Sequence, residues 1–304
     1  MYLGFLTVAL GAMPLKEKAE WAARNGFKAL EIACWPKSND RDYSSCDIDA
    51  ANFTEKDASE IKAYIRELGL TISSLAYYDN NLHCDLSIRK SVNDHVKKCV
   101  DAAVLLGVPA VGTFVGRNIN KSVRDNFDEY EEVFRDIVGY AGKKGVKIII
   151  ENCPMEGWQL PGQPGTISFT PELWKEMFRR VPDSNFGLNY DPSHLRFQLI
   201  DYIAPIAEFK DRIFHVHAKD AEVFEDKLAY YGVFNKQLGG HDGYWRFRMP
   251  GLGQVDFGKL TKALKEVGYN GVISIEHEDP LYEGSEEKVK EGLLLGKDHL
   301  EKLI

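Results

Sequence analysis

Gly145-Val146-Lys147-Ile148-Ile149-Ile150-Glu151-Asn152 decides how this chain is read. A glycine able to close a helix precedes a β-branched run, and the run stops at a carboxylate and an amide. β-Branched side chains are stiff at χ1 and pack well on a pleated surface. Consecutive apolar residues leave no polar face, so such a strand is covered on both sides, as in a parallel sheet.

The same unit recurs outward in both directions. Strands are expected at 3–10, 27–33, 71–77, 110–114, 146–151, 186–190, 213–217 and 271–276. Helical stretches at 16–25, 55–68, 91–106, 128–144, 171–180, 202–209, 257–267 and 286–303 follow them in turn. Gly26, Gly69, Gly107, Gly145 and Gly268 stand at helix ends, where a left-handed cap is wanted. Eight such units in 304 residues predict an α/β fold, a (β/α)8 TIM barrel, with residues 1–304 forming one domain. An open doubly wound sheet is the rival. It usually carries a glycine-rich first turn. Here the first strand runs into Leu10-Gly11-Ala12-Met13-Pro14 instead. Two long connections, 153–170 after the fifth strand and 218–255 after the seventh, are expected to be functional. The second is rich in aromatics, including Phe224, Tyr230, Tyr244, Trp245 and Phe247.

Composition narrows the function. The net charge of −8 disfavours a nonspecific nucleic-acid binder, which needs cations against phosphate. No apolar run approaches the ~20 residues that span a bilayer, so no membrane partner is expected. Residues 1–13 lack a basic flank and read as a strand rather than a signal peptide. Five cysteines, an odd number with no CxxC pair, suit reduced thiols and a cytoplasmic location.

In such a barrel the chemistry gathers at the C-terminal strand ends. The last four strands end in Glu151-Asn152, in Asp191-Pro192-Ser193-His194, in His215-Val216-His217-Ala218-Lys219-Asp220, and in Glu276-His277-Glu278. Side chains alternate along a strand, so His215 and His217 share a face, and Glu276 opposes His277 in parity. Proline after Asp191 favours extended backbone there. Glu151, Asp191, His217 and Glu276 form an oxygen-and-nitrogen donor set without sulfur. It suits one divalent metal ion, with Mn²⁺ the first expectation and Mg²⁺, Co²⁺ or Zn²⁺ as alternatives. Without a cation, three carboxylates in one mouth would repel each other. Trp35, Tyr77, Phe114, Trp158, Tyr244 and Trp245 lie at or after strand ends, where rings can pack on sugar C–H faces. Glu156 and Lys219 are further candidates for contact with substrate. Arg117, Arg246 and Arg248 could clamp a phosphate, but no glycine-rich nest accompanies them.

With IIIENCP, NYDPSHL, FHVHAKD, PGLGQVDF and ISIEHED in that order, the chain resembles the sugar isomerase/epimerase superfamily of xylose-isomerase-like barrels. That superfamily also holds endonuclease-IV-type DNA repair enzymes. The resemblance runs over nearly the whole chain. It implies that Glu151, Asp191, His217 and Glu276 ligate one catalytic metal and that His194 touches substrate beside it. It also implies that Glu151 and Glu276 are the catalytic proton-transfer groups. The expected enzyme is a metal-dependent isomerase or epimerase in carbohydrate metabolism, working through a metal-stabilised enediolate of a sugar or sugar derivative. A substrate arginine of the ketose epimerases falls here near Val223, and the aromatic loop is longer. These departures make a lyase acting by elimination on a 3-keto-glycoside the alternative. An endonuclease-IV-like phosphodiesterase needs further histidines on strands three and four, whose tips, Tyr77-Tyr78-Asp79 and Phe114-Val115, offer none. A non-catalytic barrel would not need the carboxylates. Pairing of two copies through the aromatic loop is an open expectation, as is a lid role for that loop.

Overall fold

The computed structural model describes residues 1–38, 43–155, 163–234 and 238–304. Its strands are β1 (Tyr2–Leu6), β2 (Ala29–Ala33), β3 (Thr71–Ala76), β4 (Ala110–Thr113), β5 (Lys147–Glu151), β6 (Phe186–Tyr190), β7 (Ile213–Ala218), β8 (Asp220–Val223), β9 (Trp245–Arg248) and β10 (Val272–Ile275). The helices are α1 (Leu15–Arg24), α2 (Glu55–Glu67), α3 (Leu86–Leu106), α4 (Asn126–Gly142), α5 (Pro171–Arg180), α6 (Pro192–Phe197), α7 (Ala204–Glu208), α8 (Glu225–Tyr231), α9 (Phe257–Glu266) and α10 (Glu286–Leu300). β1 to β7 and β10 close in the order β1-β10-β7-β6-β5-β4-β3-β2, every pair parallel. This is the expected (β/α)8 barrel. None of the described helices is long and apolar enough to cross a membrane.

The glycines anticipated at helix ends all take positive φ: Gly26 at 80°, Gly69 at 70°, Gly107 at 68°, Gly145 at 73° and Gly268 at 81°. Three differences from the sequence reading have local causes. The first strand stops at Leu6, because Thr7–Leu10 tightens into a 3₁₀ turn whose Thr7 hydroxyl accepts from Ala33 N at 2.9 Å. Helix α3 starts at Leu86 rather than 91, because Asp85 Oδ1 caps Ser87 N and Ile88 N. The long connection after β7 contains ordered structure: β8 and β9 form an antiparallel pair.

That pair has its own small core of Phe197, Ala221, Val223 and Tyr244, and Trp245 stacks on Phe197 at 3.9 Å. The returning chain is pinned by Asp220. Its carboxylate accepts from the backbone N–H groups of Ala221, Gly251, Gly253 and Val255 at 2.8–3.1 Å. A Cβ on Gly253 would lie 2.4 Å from Asp220 Oδ1, so this close approach needs glycine.

Candidate active site at the C-terminal mouth of the barrel

β5, β6, β7 and β10 each end in a group that faces one buried cage. Glu151 closes β5 and Glu276 directly follows β10. Asp191 follows β6 in extended backbone and caps α6 through Oδ1, which accepts from Ser193 N at 2.7 Å. That cap fixes the carboxylate and leaves Oδ2 buried with no hydrogen bond. His217 Nδ1 lies 3.0 Å from Glu151 Oε1 and 3.0 Å from Glu276 Oε2. His194, on α6, places Nε2 at 3.3 Å from Glu151 Oε1 and 3.4 Å from Asp191 Oδ2. Lys219 reaches in from the chain just after β7. Its Nζ lies 2.8 Å from Glu276 Oε2, 3.5 Å from Asp191 Oδ2 and 3.5 Å from Glu278 Oε1.

The electrostatics follow from burial and crowding. Burial alone would push the Lys219 pKa down, but Glu276, Glu278, Asp191 and Glu151 together hold it well above the ordinary lysine value. Burial also opposes charge on His217, and Glu31, Glu276 and Glu151 outweigh it, raising its pKa well above the ordinary imidazole value. Burial works against ionisation of Glu151, yet Lys219, His194 and His217 hold its pKa well below the carboxylate range. Asp191 goes the other way: burial, helped by Glu151 and Glu276, raises its pKa against the pull of His194 and Lys219. A buried ammonium thus sits among carboxylates that would otherwise repel one another.

These residues fit a divalent cation. Donor atoms of Glu151, Asp191, His194 and Glu276 all lie within 4.8 Å of one another, and Asp191 Oδ2 is the orphaned oxygen such an ion would satisfy. Two histidines compete for the nitrogen position. A metal-ligating imidazole normally donates its other N–H to a carboxylate or carbonyl. His217 has that support, with Nε2 at 2.8 Å from Glu31 Oε2. His194 does not, since its Nδ1 is buried without a partner. Among the described residues, the second contact that a ligating imidazole wants is thus present for His217 and absent for His194.

The other sequence candidates fall in different places. Trp35 is buried at the mouth with its indole N–H unpartnered. Tyr77 packs edge-on to Trp35 and to His95, and its hydroxyl donates to Asp79 at 3.2 Å. Trp245 belongs to the β8–β9 core, stacked on Phe197. Glu156 and Trp158 lie outside the described residues. Arg246 and Arg248 pair with Glu222, Arg248 also pairs with Asp279, and Arg117 donates to the carbonyls of Pro164 and Lys121.

Three site residues escaped the sequence reading. Phe247 on β9 lies 4.4 Å from the Lys219 ammonium and 5.5 Å from the His194 ring. Its signal was the alternation Trp245-Arg246-Phe247-Arg248, which has the period of a strand. Tyr43, in the loop after β2, buries a hydroxyl with no partner among the described residues. Burial first, and then the charges of Glu276 and Glu278, push its pKa well above the usual value. Glu31 sits inside a strand, and nothing in the pattern around it marks it out.

Comparison with known proteins follows this geometry. The chain is 26% identical over 301 residues to the uncharacterised protein YfiH of Bacillus subtilis, covering 92% of this chain and 93% of that one. It is 32% identical over 122 residues to an inosose dehydratase of Lacticaseibacillus casei, spanning 38% of each protein. A solved structure of the IolI protein with a bound zinc atom superposes with a TM-score of 0.71 at 22% identity, covering 100% of this chain and 99% of that one. Residues 19–299 match the family model of the xylose isomerase-like TIM barrel, and the chain belongs to that family.

Proposed function

We propose that this protein is a divalent-metal-dependent enzyme that removes a proton α to the carbonyl of a sugar or cyclitol and returns it, as an isomerase or epimerase. The observation that carries the reading is the convergence of Glu151 and Glu276 on one point, each 3.0 Å from His217 Nδ1 and flanked by the orphaned Asp191 Oδ2. Glu151, Asp191, His217 and Glu276 would hold the ion. When bound, it supplies Lewis-acid polarisation of the substrate carbonyl. A relative supports metal dependence: the IolI structure holds a zinc atom.

The chain's own residues divide the rest of the work. One of Glu151 and Glu276 takes the α-proton and the other returns it, a contribution of about 10²–10⁴-fold for a positioned acid–base group. Lys219 donates to Glu276 Oε2 and fixes that oxygen's direction. His194 is placed to hold a substrate hydroxyl. The unpartnered Trp35 Nε1 and Tyr43 Oη are donors for further substrate oxygens. Phe247 forms one wall, its ring centre 4.4 Å from the Lys219 ammonium.

Elimination is the second reading, and two observations favour it. The dehydratase relative is named for loss of water. The Lys219 ammonium lies in the same cage, 2.8 Å from Glu276 Oε2, where it could donate a hydrogen bond to a leaving oxygen. Both readings begin with the same proton removal. Incubating the Mn²⁺-loaded protein in D₂O with a panel of ketoses, 3-keto-glycosides and keto-cyclitols tests them. Deuterium at the α-carbon is expected with at least one substrate class. A mass loss of one water or one aglycone would select elimination. No exchange with any member would remove the proposal.

A further inference from the structure

A second polar cluster lies behind His217, on the side away from the carboxylate cage. At its centre is Glu31 of β2, fully buried in the barrel. Glu31 Oε2 accepts from His217 Nε2 at 2.8 Å and from Ser274 Oγ at 2.9 Å, and Oε1 accepts from Tyr78 Oη at 2.7 Å. Gly112 makes room for this, since a Cβ there would lie 2.5 Å from Tyr78 Oη. Glu31, His215 and His217 are close enough together to hold a cation themselves. Their atoms are already used, however. Both Glu31 oxygens are hydrogen-bonded, and His215 is held by Asn189 Oδ1 at 2.9 Å and Ser73 Oγ at 3.1 Å. This contrasts with the cage in front, where Asp191 Oδ2 and His194 Nδ1 are orphaned. The rear cluster is a fastening, and the front one keeps polar atoms without partners among the described residues.

An imidazole has two nitrogens, and only one can face the cage. A buried carboxylate behind the ring holds the N–H on its own side and turns the other lone pair forward. We infer that Glu31 is a positioning residue: it fixes His217 with Nδ1 toward Glu151 and Glu276 and thereby sets the affinity for the divalent ion. The inference rests on the metal-site reading above. In this reading Glu31 is not itself a ligand and acts through the imidazole.

Mn²⁺ alone is the probe. Wild type, Glu31→Gln and Glu31→Ala are titrated at one pH, with free Mn²⁺ read by electron paramagnetic resonance and folding checked by near-UV circular dichroism. Loss of an outer carboxylate behind a ligating histidine weakens binding by about 10–100-fold, and that is expected for Glu31→Ala. A smaller loss is expected for Glu31→Gln, whose amide oxygen still accepts from Nε2. Tyr78→Phe removes a different bond to Glu31 and is expected to bind Mn²⁺ as wild type does. Zinc-loaded wild type, ¹⁵N-labelled in histidine, is expected to show metal on Nδ1 of His217 and a proton on Nε2. Folded Glu31 variants with unchanged Mn²⁺ affinity, an equal loss in Tyr78→Phe, or metal on Nε2 would each overturn the inference. A wild type that takes up no Mn²⁺ would overturn the metal-site reading and the inference with it. Unchanged affinity in the variants of a metal-binding wild type removes the inference alone.

Discussion

At the residue scale, Lys219 decides how the site exists without its ion. Four carboxylates, Glu151, Asp191, Glu276 and Glu278, lie within 4.0 Å of one buried ammonium. Removing one partner of a buried ion pair costs about 3–5 kcal/mol, because the charge left behind has no solvent. Lys219→Met should therefore unfold at lower denaturant in the metal-free state, and added Mn²⁺ should recover more stability in the variant than in wild type. Urea titrations with and without Mn²⁺ measure this, and equal metal-free midpoints would contradict it. His215 supplies a pH effect. Burial depresses its pKa to about 4, against an ordinary 6.5. The unfolded chain binds this proton first as pH falls, so the stability is present above pH 6.5 and is lost between 6.5 and 4. The loss is about 3 kcal/mol, at about 1.4 kcal/mol per pH unit. Unfolding free energies at pH 7 and pH 4.5 should diverge between wild type and His215→Gln, the variant showing the flatter dependence. Parallel pH profiles would dispose of this assignment.

Residues at this scale were unequally legible. Glu151, Asp191 and Glu276 could be read because each sits where an apolar strand ends, and in a barrel strand ends meet. Pro192 helped make Asp191 legible, since proline favours extended backbone before it. Glu31 could not be read, because Ala-Leu-Glu-Ile-Ala is also what a half-exposed strand looks like. Only barrel closure shows that the glutamate points at His217 from across the barrel. Tyr43 was hidden for another reason: a loop's side-chain direction has no sequence period.

At the element scale, the β8–β9 pair turns the aromatic connection into a wall of the site. Phe247 reaches His194 and Lys219 only because Asp220 ties the returning loop through four backbone N–H groups. A carboxylate hydrogen bond to a buried donor is worth about 1.5–3 kcal/mol. Asp220→Ala should lose at least that much stability and speed amide hydrogen exchange selectively over 249–256. Gly253→Ala should produce the same pattern through the clash with Asp220 Oδ1. Unchanged exchange in both variants would show that the loop is held by something else. The pair was missed as structure because it interrupts the β-then-α rhythm that made the rest of the barrel readable. The length of the connection and its rings were visible, but their antiparallel pairing was not.

At the scale of the whole molecule, the barrel brings groups from β2, β5, β6, β7 and β10 to a single point, although Glu31 and Glu276 are far apart in sequence. The helices, their glycine caps and the closed parallel order follow from local patterns repeated eight times. The polar layer inside the barrel does not, since it depends on register between strands. An ion bound only to the folded state stabilises it by about 2.7 kcal/mol at one hundred times its Kd. The thermal midpoint should therefore rise with Mn²⁺ in wild type and stay flat in Asp191→Ala. The most direct test of the central claim is divalent-metal content per chain, measured on wild type and on Glu276→Ala purified without chelator. One ion per wild-type chain and far less in the variant is the predicted result. A folded wild type with no bound metal, and none taken up on adding Mn²⁺, Co²⁺ or Zn²⁺, would contradict it.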